Sequence, residues 1–269
     1  MSNFIDKTLK DISKVLKDTL LFEEIKESFL SEIDERIKII SLLFILITIS
    51  LLKNLENLFV FYLLSILFAF LGKINIKTFL KRTWFFIPIF TVIIAIPSIF
   101  LVPGKFSFGF TREGLENAIR LVLRVAVSIS YVQILILTTS WVKIFSGLRG
   151  VGVPPIIVTI LTMSYRYIFL LLDIAENLFL AKKSRTIELK LKREQNWVGE
   201  SIGIMAIKTH ELSKEVFQGM ISRGFSKDMG FHRKSKILFS DILFLIIILF
   251  FSILFLFLDG VLYGKRSFI

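Results

Sequence analysis

Residues 238–258 read LFSDILFLIIILFFSILFLFL, with Asp241 as their only charge. About 20 apolar residues in an α-helix cross the hydrocarbon core of a bilayer. A helix also pairs every backbone N–H and C=O within its own segment, which lipid cannot do for it. This run is therefore read as a transmembrane helix. Four more apolar runs precede it, at 37–52, 57–72, 84–103 and 115–140. The first is short, and Lys38 and Lys53 at its ends can snorkel to the interfaces. The third contains Pro88 and Pro97, which membrane helices tolerate as kinks.

Composition agrees. The chain has 269 residues, of which 54% are hydrophobic, and its 29 Phe fall in apolar runs. A soluble globular class is excluded. The absence of Cys excludes disulfides, thiolate catalysis and Cys-bound zinc. The two histidines, His210 and His232, lie too far apart in sequence for a ligand spacing. A net charge of +12 in such a protein points to cytoplasmic loops and anionic lipid before nucleic acid, and no nucleic-acid partner is expected.

Charge sets the expected topology. The stretch 73–82 carries Lys73, Lys77, Lys81 and Arg82 with no acid, and 182–236 is the most basic segment of the chain. Both should be cytoplasmic, while 104–114, with only Lys105 and Arg112, suits the outside. Four spans from an inside N-terminus return the chain to the cytoplasm near Trp141. A sixth apolar run, 154–172, would place the basic segment outside if it crossed. It also holds Arg166 and is closed by Asp173 and Glu176, and a charge at the centre of a span is costly. It reads as a long helix at the cytoplasmic face.

The expectation is an all-α polytopic membrane protein with about five spans, N-terminus inside and C-terminus outside; six spans remain the alternative. Residues 1–36 form an amphipathic N-terminal segment, with Ile5, Leu9, Ile12, Leu16 and Leu20 on one face. It could lie on the membrane or pack on the protein. A four-span bundle follows at 37–140, then a cytoplasmic helical region at 141–236, then the last span and an external tail at 237–269. Within the cytoplasmic region, a charged linker is expected around 190–199. A second helix over 200–223 follows, with Ile204, Ile207, Leu212, Val216 and Met220 as its apolar stripe and Gly224 as its stop.

Catalytic chemistry finds little support. No Walker A pattern is present. Glu116, Arg120 and Arg124 stand one turn apart in the fourth span, with Ser128 and Tyr131 continuing that face. They are either part of a transport path or a Glu116–Arg120 pair beside a snorkelling Arg124. Two triplets are more informative. Ser184-Arg185-Thr186 and Ser222-Arg223-Gly224 each place an arginine between small residues at the end of an apolar helix. Small neighbours allow a close approach, and the guanidinium fork fits a carboxylate. A basic residue at a helix end also suits the dipole.

At this point the chain resembles a family. Gly152-Val153-Pro154-Pro155, Met163-Ser164-Tyr165-Arg166-Tyr167 and Leu171-Leu172-Asp173 are similar to the T component of energy-coupling factor (ECF) transporters, most closely the cobalt/nickel type, CbiQ. Ile221-Ser222-Arg223-Gly224-Phe225 resembles that family's second Ala-Arg-Gly coupling motif, and Ser184-Arg185-Thr186 stands where the first belongs. Asp34-Glu35-Arg36 resembles the Asp-Pro-Arg that opens its first span. Glu35 replaces the proline, Ser replaces Ala in both triplets, and Thr186 replaces Gly in the first. The likeness covers about residues 30–260.

The resemblance implies a non-catalytic scaffold subunit of an ATP-driven cobalt or nickel importer in the plasma membrane. Long cytoplasmic coupling helices would cross in an X. Their arginines, Arg185 and Arg223, would dock into grooves of two ABC-type ATPase subunits. Pro154, Pro155, Arg166 and Asp173 would support the first of these helices. A separate S-type membrane subunit would bind the substrate, and the partner ATPases would use the ATP, with no cofactor held by this chain. A stand-alone permease is the alternative. A membrane enzyme is disfavoured by the missing acid–base or metal cluster.

Overall fold

The computed structural model describes Lys10 and residues 29–85, 87–101, 106–107, 110–185, 191–225 and 238–266. The expected amphipathic helix before residue 29 lies outside these residues apart from Lys10, as do Thr186, His232 and Ile269. The chain forms two compact units, one made of 25–151 with 234–269 and the other of 152–233 with 1–24.

The first unit is a helical bundle. Its elements are α1 (Phe29–Glu32), α2 (Glu35–Leu51), α3 (Leu55–Leu71), α4 (Ile76–Phe85), α5 (Ile87–Leu101), α6 (Arg112–Thr138), α7 (Trp141–Gly150) and α10 (Phe239–Arg266). A two-residue antiparallel pair, Phe106–Ser107 with Phe110–Thr111, closes the turn between α5 and α6. The all-α polytopic expectation holds. Three described helical segments are long and apolar enough to cross a membrane, Gly114–Thr138, Pro155–Ser184 and Phe239–Gly260, and Leu55–Leu71 is a shorter apolar one.

The bundle packs as membrane helices do, by close approach of small side chains rather than by a hydrophobic core alone. Buried small residues recur four apart: Ser65 and Ala69 on α3, Thr91 and Ala95 on α5, Gly114 and Ala118, then Ala126 and Ser130, on α6. Phe61 meets Phe255 edge-on at 5.2 Å and Phe68 meets Phe244 at 6.3 Å, which seats α10 on α3. Large apolar residues point outward instead, among them Leu43, Ile47, Ile246, Phe250 and Phe257. Pro97 lies inside α5 and Pro88 in its first turn.

One helix falls where the sequence suggested a loop, and another lies in the region expected to be helical, where the sequence does not mark it as an element of its own. α4 occupies the basic stretch after α3. Asn75 starts it, its Oδ1 accepting from the Lys77 backbone N–H at 3.2 Å, so an Asx cap overrides the density of lysines. α7 follows the fourth span directly. Its Gly147 allows the backbone to approach α2, since a Cβ there would stand 2.7 Å from Ile39 Cδ1 and 3.1 Å from the Glu35 carbonyl carbon.

The second unit consists of α8 (Pro155–Arg185) and α9 (Leu191–Ser222). α9 begins at Leu191, so the charged linker expected over 190–199 is mostly helix. Lys192, Arg193 and Glu194 are good helix formers, and charge alone does not break a helix.

Candidate functional site

Ser184-Arg185 and Ser222-Arg223-Gly224 each sit at a helix end. Pro154 and Pro155 open α8: Pro155 is its first residue, where a missing N–H costs nothing, and the Pro154 carbonyl accepts from Ile157 N–H at 3.1 Å. Gly152, just before, has φ +105°, a conformation that an L side chain resists. Arg166 and Asp173 lie exposed on α8, two turns apart on one face. At the far end of α8, the Ser184 hydroxyl donates to the Ala181 carbonyl at 2.9 Å, and Arg185 is the last helical residue.

The second triplet is a complete helix stop. Phe225 N–H donates to the Met220 carbonyl at 2.9 Å and Gly224 N–H to the Ile221 carbonyl at 2.8 Å. Gly224 has φ +71°. These are the two bonds of a Schellman motif with glycine in its left-handed position. The Ser222 hydroxyl folds back on the Gln218 carbonyl at 2.9 Å. Arg223, at the cap between them, is exposed. The glycine of the triplet thus ends the helix, and the arginine is the last group that the helix presents.

The structure does not bring the two arginines together. The Phe179 and Trp197 rings meet edge-on at 5.2 Å, and the Lys182 ammonium lies 5.3 Å from the Trp197 centroid. These contacts tie the end of α8, and with it Arg185, to the beginning of α9. Arg223 lies beyond the other end of this 32-residue helix, roughly 48 Å along its axis at 1.5 Å per residue. One pocket on one partner cannot hold both.

In the bundle, Arg120 pairs with Glu116 at 3.0 Å, as its spacing suggested. Arg124 differs from the snorkelling expectation: its Nη2 donates to the Leu52 carbonyl at 2.6 Å, capping the C-terminal end of α2. Tyr131 donates to the Phe61 carbonyl at 3.1 Å. Arg124 and Tyr131 therefore join helices to one another.

The sequence reading missed two carboxylates. Asp241 accepts from the Asp34 N–H at 3.1 Å and the Leu238 N–H at 2.8 Å, while Asp34 itself caps α2 by accepting from Arg36 N–H at 2.8 Å. Asp259 accepts from Lys53 N–H at 2.9 Å, Asn54 N–H at 3.0 Å and Asn57 Nδ2 at 2.9 Å. Asp241 and Asp259 are 18 residues apart, which is five turns and roughly 27 Å on one face of α10. They latch α10 to α2 at both ends. Because the start of α10 meets the start of α2, the two helices run parallel. The signal was present: two acids bracketing an apolar run at a whole number of turns. Among the described residues, no group of three or more His, Asp or Glu side chains could hold a metal ion.

A parallel, doubly latched helix pair in a small-residue bundle, with a separate pair of long helices ending in arginines, defines a polytopic helical membrane protein. The chain belongs to the cobalt transport protein family CbiQ, which it matches over residues 26–237. It is thus a membrane protein of cobalt transport. It is similar to two proteins of Methanocaldococcus jannaschii. One, "Uncharacterized protein MJ1571", is 36% identical over 259 residues, 91% of this chain and 88% of that protein. The other, "Uncharacterized protein MJ1089", is 26% identical over 214 residues, 72% of this chain and 76% of that protein.

Proposed function

We propose that the chain is the T subunit of an ECF-type importer of cobalt or nickel, coupling two ABC-type ATPase subunits to a substrate-binding S-type membrane subunit. Arg185 and Arg223 are the docking groups, and ATP is hydrolysed by the partners. The observation that carries this is the cap at Ser222-Arg223-Gly224. It leaves an exposed guanidinium at the end of a long helix, with the Arg223, Gly224 and Phe225 N–H groups already bonded within the cap. A second arginine roughly one helix length away calls for a second docking pocket, which two ATPase copies supply.

The parallel arrangement of α2 and α10 supports an odd number of crossings, five in this reading, and the basic stretches 73–82 and 182–236 favour the N-terminus in and the C-terminus out. If α2, α3, α5 and α6 each cross once, the chain returns at the end of α6 to the side where α2 and α10 both begin. A crossing by α8 alone would strand α10 on the wrong side, although Pro155–Ser184 is long and apolar enough to cross.

A stand-alone permease needs polar groups lining a path. Here Arg124 and Tyr131, the groups nearest to such a path, are held by backbone carbonyls of other helices. Assembly tests the proposal. The tagged chain, solubilised from its own membranes, should bring down an ABC-type ATPase and a second small membrane protein. Isolation of a lone chain that still transports metal in vesicles contradicts it.

A further inference from the structure

We propose that the corner between α3 and α4 is a binding site for an anionic phospholipid, with Lys73 and Lys77 on the headgroup and Phe70, Leu71 and Ile76 on the upper acyl chains. The inference rests on the membrane location alone and not on the coupling role or on which side the corner faces.

The corner is a concave surface lined by Phe70, Leu71, Lys73, Asn75, Ile76 and Lys77, among others. Its apolar part is bare, with Phe70 67% exposed and Leu71 45% exposed at the end of an apolar membrane helix. Its basic part lies immediately beyond. α4 continues that division. Phe79 and Thr83 are fully buried toward the bundle, and Thr83 Oγ1 bonds Gln133 Oε1 of α6 at 3.1 Å. Ile76 and Leu80 form the next stripe around the helix, partly exposed, and Lys77 and Lys81 form the stripe after it. Buried, apolar and basic stripes in that angular order describe a helix lying in a membrane interface.

The backbone supplies a second observation. Ile74 N–H donates to the Ala69 carbonyl at 3.1 Å and Lys73 N–H to the Phe70 carbonyl at 3.0 Å, so α3 ends in a Schellman motif. The left-handed position of that motif is normally glycine's. Here it is Lys73, with φ +52°. A glycine is available one residue earlier, at Gly72, whose missing Cβ admits Leu30 Cδ1 at 3.2 Å. A lysine in this position carries a conformational cost that a glycine would not, and such strain gathers at ligand sites. Lys73 and Lys77 both line the corner. Two lysines lining one surface with bare aromatic and aliphatic side chains match a phosphate joined to acyl chains, whereas a free anion would use only the lysines.

The test uses the full chain in mixed phosphatidylglycerol–phosphatidylcholine vesicles, with the lipids retained after extraction counted by native mass spectrometry. The wild type should retain phosphatidylglycerol in preference. Each basic group near an anionic partner contributes about a fivefold preference. The Lys73→Gly/Lys77→Gln/Lys81→Gln protein should lose about tenfold or more of it. A Lys208→Gln/Lys214→Gln protein, altered on α9, should keep it. Lys73→Gly alone separates binding from folding: it relieves strain, so the protein should be at least as heat-stable while retaining less phosphatidylglycerol. Ile76→Ser/Leu80→Ser should lower retention of both lipids. An unchanged ratio in the triple variant overturns the site. So does displacement of the retained lipid by inorganic phosphate beyond that by chloride at matched ionic strength, which would mark a free-anion site instead.

Discussion

Arg223→Glu should weaken capture of the ATPase by at least about thirtyfold. If Arg223 forks onto a buried carboxylate of the ATPase, breaking that desolvated pair costs about 2–5 kcal/mol, and each 1.4 kcal/mol is tenfold. Glutamate adds like-charge repulsion to the loss. Arg223→Lys should recover only part, because an ammonium cannot reproduce two parallel hydrogen bonds. The bundle should be indifferent, since Arg223 is exposed and its backbone is held by the Gly224 cap. Lys214→Ala, also exposed on α9, is the control, because solvated charges contribute little. The measurement is a binding titration of the ATPase against each variant in the same detergent. Equal affinity for Arg223→Glu and wild type would reduce Arg223 to a helix-end charge favoured by the dipole.

The second large effect is on stability. Asp259→Ala strips the acceptor from the Lys53 and Asn54 N–H groups and from Asn57 Nδ2, and Asp259 is only 5% exposed. Hydrogen bonds to a charged group contribute about 1.5–3 kcal/mol each, and buried donors left without a partner add their desolvation. The bonds are not additive, so a loss of about 3–5 kcal/mol is expected. Asp241→Ala, at 1% exposure and with two backbone donors, should lose about 2–4 kcal/mol. The latches stand roughly five turns apart, so the double variant should lose nearly the sum. Asp259→Asn keeps one carbonyl acceptor and should lose less. Thermal unfolding of the purified variants reads this directly. Melting curves that coincide with wild type would show that α10 is held by its Phe244 and Phe255 ring contacts instead.

Much of the fold was legible because lipid enforces simple rules. The run 238–258 had to be a helix, and Phe239–Arg266 is one. The Gly224 stop was legible too, since only a left-handed residue completes that cap. α4 was not. A run with Lys73, Lys77, Lys81 and Arg82 reads as a loop until Asn75 is recognised as a cap and Phe79 and Thr83 as a buried stripe one turn apart. α7 was hidden for a related reason: it is ten residues long, and what anchors it is Gly147 against α2, a contact across more than 100 positions of sequence. The latches depend on such long-range pairing as well. Asp259 in the sequence is one acid after an apolar run, and nothing local says that its partners are Lys53, Asn54 and Asn57. The two triplets were singled out by their shape, small-Arg-small at a helix end, and Arg185 and Arg223 do stand at helix ends. Their separation along α9 required the helix to be seen starting at Leu191.

The separation also bears on mechanism. If Arg185 and Arg223 dock as proposed, the 32-residue helix between them would act as a rigid lever between two sites. Closing of two ATPase copies would then swing or rotate the helix without changing its length, and α8 would carry that motion toward the Gly152-Val153-Pro154-Pro155 turn.

The chain contains no cysteine, so single thiols placed beside the arginines report their contacts without background. Ser184→Cys and Ser222→Cys leave Arg185 and Arg223 intact. In membranes holding the assembled importer, each thiol carrying a short photo-reactive probe should cross-link to an ABC-type ATPase chain. Both together on one chain should yield a product with two ATPase copies, and an impermeant thiol reagent added outside sealed cells should reach neither. Cross-linking confined to lipid or to the chain itself, or labelling of either thiol from outside, would contradict the coupling role of this subunit.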